Sequence, residues 1–165
     1  MTFSFGVDTT REKPAQIKKY IKNLKLPLKF GQYQSFSFVL PDEYLHICPM
    51  LDIKKSELFG SQLSLRAFSQ GHARHAKFVI PWEKELVISL GVKNQYFGHP
   101  LHRFDIKLPA FAGFATVLAL TYYLIGKIQA SKTSYFKNNI KAYCLDYGPK
   151  AYGKDKPFDI MVPAN

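Results

Sequence analysis

The apolar positions of the chain change period along its length. "FSFGV" (3–7) alternates and predicts an opening strand. In "KPAQIKKYIKNLKLP", Ile17, Tyr20, Ile21 and Leu24 recur at spacings of three and four, while Lys18, Lys19, Lys22 and Lys25 fall away from that stripe. This predicts an amphipathic helix over 14–25 with a lysine outer face, opened by Pro14 and closed by Pro27. Over 33–41, Ser35 and Ser37 alternate with Phe36 and Phe38, the pattern of a half-buried strand. "EYLHICPML" (43–51) reads as a second strand after a Pro41-Asp42 turn. From Ile53 to Phe68 the spacing of Leu58, Leu65 and Phe68 is helical, with Gly60 weakening it.

"KFVIPWEKELVISLG" (77–91) carries two β-rich runs about Pro-Trp-Glu-Lys and predicts a hairpin. "VKNQYFGHPLHRF" reads as a loop, with Gly98 and Pro100 as its turn residues. The 19 residues Leu108–Gly126 carry no charge. Their length would suit a bilayer, but Pro109, two Gly, two Thr and two Tyr argue instead for a central buried helix from about Pro109 to Ala130. Ala112, Ala115 and Ala119 would let neighbours approach it closely. One or two strands are expected near the C-terminus, around "KAYCLDY" and "FDIMV". Together these elements predict a single α+β domain over 1–165: an antiparallel sheet packed on a long central apolar helix plus two amphipathic helices.

Composition sharpens this picture. Ten Tyr, fourteen Phe and one Trp supply ample core material, which excludes a disordered chain. Two cysteines, Cys48 and Cys144, do not make a disulfide framework. With no secretory pattern at the N-terminus, the expectation is a cytoplasmic protein without integral membrane insertion.

Charge adds a partner class. Twenty-three Lys and Arg oppose twelve Asp and Glu, for a net +11. The excess is uneven: residues 1–30 hold seven basic and two acidic side chains, residues 31–70 three and four. A polyanion is the implied partner, nucleic acid before an anionic membrane surface. Candidate contacts are Lys18, Lys19, Lys22 and Lys25 on the first helix, Arg74 and Arg103, and Lys150, Tyr152, Lys154 and Lys156 in a Gly/Pro loop at 147–156. Lysines would neutralise phosphates and exposed rings would stack on unpaired bases.

The histidines suggest a second class. Four of five occur as equally spaced pairs, His72/His75 and His99/His102, each beside an arginine. If the 77–91 hairpin joined their loops, the pairs could converge on a divalent metal or act as general base in a small hydrolase, even a nuclease. His46 and Cys48 could join them, and Cys48 with a histidine could form a thiol nucleophile. Asp42, Asp52-Ile53-Lys54 and Asp105/Lys107 form a short acid-x-Lys pattern that nucleases also use. A third class is a protein-docking subunit of a larger assembly. No motif here identifies a function by itself.

Overall fold

The computed structural model describes residues 11–27 and 29–158, in two compact units that meet in sequence at Lys132 and Thr133. The expected strands at 3–7 and, for most of its length, at 158–162 lie outside the described residues.

The first unit is built on four strands: β1 (Ser35–Leu40), β2 (Ser64–Ser69), β3 (Glu85–Leu90) and β4 (Arg103–Ile106). They are ordered β2-β1-β3-β4 and every pairing is parallel. This overturns the antiparallel sheet. Alternation reports which face a residue occupies, not the direction of its partner, and the expected hairpin does not form. Only Glu85–Leu90 of 77–91 is a strand, with Lys77–Lys84 running as turns and coil before it.

Other elements also change type. Residues 42–47 form a 3-10 turn leading into α2 (Cys48–Leu58), where a second strand was expected. Pro49 decides this locally: it lacks an N–H, which a ladder needs and a first helical turn does not. The helical spacing over 53–68 splits at Gly60, whose φ of 56° ends the helix, and 64–69 becomes β2.

Two helices follow the periodicity: α1 (Pro14–Lys22), with α3 (Gln70–Ala73) a single turn after β2, and the long apolar α4 (Phe114–Ala130). Val117, Leu120, Leu124 and Ile128 of α4 are fully buried. Each such side chain stabilises the fold by about 1.5–3 kcal/mol. Tyr122 is exposed and Tyr123 half-exposed, so α4 is enclosed on one side rather than all round. Among the described residues no helix is long and apolar enough to cross a membrane.

Phe36, Phe38, Leu40, Leu86, Ile88, Leu90 and Ile106 form one apolar face of the sheet. Helix α4 runs along it, touching the 3-10 turns at both ends of β1, and α2 packs beside β2. On the opposite face Val39 and Val87 are covered by Ala73 and by Phe78, Val92 and Phe97 from the β2–β3 and β3–β4 connections. Right-handed crossovers require this division: β1 to β2 and β2 to β3 run in opposite directions across the sheet, so their connections lie on opposite faces.

Glu12 anchors the start of α4. Its carboxylate accepts N–H bonds from Gly113, Ala115 and Thr116 at 2.8, 3.0 and 2.6 Å. Gly113 leaves room for the carboxylate: a Cβ there would meet it at 2.8 Å and displace it from these bonds. Burial alone would raise the Glu12 pKa, but these hydrogen bonds outweigh it and hold the group below its ordinary value.

The second unit contains α5 (Tyr135–Leu145) and α6 (Tyr147–Ala151). "KAYCLDY" is therefore largely helical, not a strand, and most of the expected loop at 147–156 is a helix followed by a turn.

Candidate nucleic-acid interface

Helix α1 has an exposed lysine face. Lys18, Lys19, Lys22 and Lys25 are all exposed, and none forms an ion pair among the described residues. The cause lies in the local sequence: 13–29 contains no acidic residue, and Glu12 is committed to the α4 N-terminus. The opposite stripe, Ile17, Tyr20, Ile21 and Leu24, is only half-buried. The Tyr20 hydroxyl donates to the Lys107 carbonyl at 3.0 Å, fixing α1 against the end of β4.

Between α1 and α4 runs an apolar groove of about 670 Å³. Ile17, Ile21, Ala115, Ala119 and Tyr123 line it, with Lys18 and Lys22 on its α1 side. Lys127 on α4 sits 5.3 Å from the Tyr123 ring and adds a cation beside the groove. The sequence reading did not include Lys127 among the candidate contacts. Helical spacing from Tyr123, four residues earlier, was the signal available.

The arginines divide. Arg74 is exposed and lies near Asp42. Arg103 is committed: Nε, Nη1 and Nη2 donate to the carbonyls of Phe97, Gln95 and Gly98 at 2.9, 2.6 and 2.7 Å. It clamps the β3–β4 connection.

The two histidine pairs occupy different corners of the sheet. His72 follows the carboxyl end of β2, whereas His99 and His102 precede the amino end of β4. In the order β2-β1-β3-β4 these are the two outer strands, so about 14 Å of sheet width separates them. Within the second pair the rings lie 4.9 Å apart, and His102 Nδ1 is 3.2 Å from the Tyr33 hydroxyl. His72 and His75 are exposed. Among the described residues no three His, Cys, Asp or Glu side chains are grouped to hold a metal ion.

The remaining candidates have local explanations. Burial pushes the Cys48 thiol up to about 11, so it is protonated at neutral pH and a poor nucleophile. Asp42 accepts the Gly71 N–H at 2.8 Å and ties α3 to the end of β1. The Ser69 hydroxyl and that N–H hold its pKa below the ordinary value, helped by Arg74 and His72. Asp52 is exposed on α2, and Lys54 is ion-paired with Glu57. Asp105 accepts the Asn94 N–H at 3.2 Å. In the second unit Lys150 pairs with Asp146 at 2.5 Å, while Lys154 lies 6.0 Å from the Phe158 ring. Tyr152 and Lys156 are exposed.

A polar cluster that sequence reasoning missed lies under the β2–β3 connection. Buried Glu85 accepts from Ser35, Ser37 and Arg66, at 3.3, 2.5 and 2.6 Å. Arg66 also donates to Ser37 and stacks 5.5 and 5.3 Å from Phe68 and Phe78. Single opposite charges inside β-rich runs were the available signal. Comparison of the chain with protein families, curated proteins and solved structures finds no match.

Proposed function

We propose that the protein binds nucleic acid by charge through the lysine face of α1, with Lys127 extending that face across the groove. One observation carries this reading: four exposed lysines on and just after one nine-residue helix, none ion-paired among the described residues. Lysine is a point charge on a flexible stem, suited to phosphates rather than to shaped base recognition. With Arg103 committed to loop carbonyls, binding should show little sequence preference. The exposed Tyr152, Lys154 and Lys156 of the second unit are secondary contacts.

Four neutralised phosphates on duplex DNA predict a slope of about −3.6 in log affinity against log salt. Replacing Lys18, Lys19, Lys22 and Lys25 together with Gln should remove that part of the slope, leave only the contribution of Lys127 and the second unit, and abolish most binding at moderate salt. A titration of mixed-sequence DNA and RNA across salt concentrations reads both. Undetectable binding at low salt, or an unchanged slope in the fourfold variant, would refute the reading.

A further inference from the structure

The β2–β3 connection presents apolar side chains to solvent. Val79 is 73% exposed, Ile80 85% and Trp82 46%, with Pro81 between them. Val79 and Ile80 were expected to end the first strand of a hairpin, with Pro81 and Trp82 in its turn. The segment is instead held from below. Phe78 tucks under it, 5.8 Å from Phe68 and 5.3 Å from Phe97. Its ends are pinned: the Lys77 carbonyl accepts from Arg66 at 3.4 Å, and the Lys84 carbonyl accepts from Gln34 and Ser35 at 2.8 and 3.1 Å. Tyr96, 80% exposed, projects from the neighbouring β3–β4 connection beside Phe97.

Contiguous exposed apolar residues on a pinned support mark an interaction surface. Their flanks say what kind. Lys77 and Lys84 bracket the run, and Lys93 lies on the neighbouring connection. All three are exposed and none forms an ion pair among the described residues. The one acid within the run is Glu83. An apolar tip with an indole, ringed by free lysines, matches a bilayer interface, where Trp sits at the head-group level and Lys meets anionic lipid.

We propose that Val79, Ile80 and Trp82, with Tyr96 beside them, dock on an anionic membrane surface, the apolar side chains entering the interface while Lys77, Lys84 and Lys93 engage lipid phosphates and carboxylates. This is peripheral attachment, and the surface is separate from the lysine face of α1.

Trp82 is the chain's only tryptophan, so it reports on the contact without a label. With phosphatidylcholine vesicles containing about a quarter phosphatidylserine, its emission should move to shorter wavelength and be quenched by brominated acyl chains. Ile80→Lys adds charge while removing apolar surface at an exposed position, and should weaken vesicle partition about tenfold. Lys77→Glu with Lys84→Glu should remove the preference for anionic over neutral vesicles. The fourfold α1 lysine variant should keep the Trp82 shift. Vesicle binding that leaves Trp82 emission unmoved would overturn the proposal. So would a shift that appears with protein concentration alone and is lost in Ile80→Lys, which would identify a second copy of the chain as the occupant.

Discussion

The two faces of the sheet solve the same problem differently. One is apolar except for Ser69 at the end of β2, and lies under helices: Phe36, Phe38 and Leu40 of β1 beneath α4 and α2. The other carries Ser35, Ser37, Arg66 and Glu85 and is roofed by irregular connections anchored through Phe78 and Phe97. Parallel strands are normally sealed by helices on both faces. Here a hydrogen-bonded polar cluster and a few aromatic rings replace the second helical layer. The helical face supplies apolar burial. The looped face supplies irregular backbone, and with it the exposed Val79–Trp82 run. Apolar burial and exposed irregular backbone are thus placed on opposite sides of one sheet.

Substitutions should separate the faces. On the helical side, Leu120→Ala opens a cavity in a fully buried position and should cost about 3–4 kcal/mol, read as a lower urea midpoint. On the looped side, Arg66→Ala strands the buried Glu85 carboxylate on two serine hydroxyls and should cost about 2–3 kcal/mol. Glu85→Gln should cost less than Arg66→Ala, because the Arg66 side chain is 37% exposed and can turn to water. Equal losses from these two variants would show that the cluster is not one-sidedly buried.

Next in size is Glu12→Gln, about 1 kcal/mol at neutral pH from the weakened cap on α4. Its pH dependence has a definite sign. The folded pKa is lowered, so the contribution is complete above the unfolded value and is lost as pH falls through the folded one. Asp42 acts in the same direction. Wild-type stability should therefore decline on acidification more steeply than that of Glu12→Gln, as acid-dependent urea midpoints would show. The smallest effect belongs to the second unit: Lys150→Ala removes an exposed i, i+4 pair with Asp146 and should change stability by about 0.3–0.5 kcal/mol or less.

What was legible in the residues is what depends on near neighbours. The amphipathic α1, the apolar α4, strand β1 and the exposure of Lys18, Lys19, Lys22 and Lys25 follow from spacings of two, three and four positions. Tertiary structure decided what depends on distant partners. Ser35 and Ser37 marked β1 as half-buried, yet both are buried, because Glu85, some fifty positions away, accepts their hydroxyl protons. Parallel pairing of β1 with β2 and β3 rests on backbone hydrogen bonds that carry no side-chain signature. The distance between the histidine pairs was set by strand order, and strand order is chosen by how crossovers pack over the whole sheet rather than by any local run of residues. Val79 and Ile80 have the side chains of a strand, but the parallel crossover from β2 to β3 leaves the 79–82 run to roof the sheet rather than join it, and so its apolar side chains face solvent.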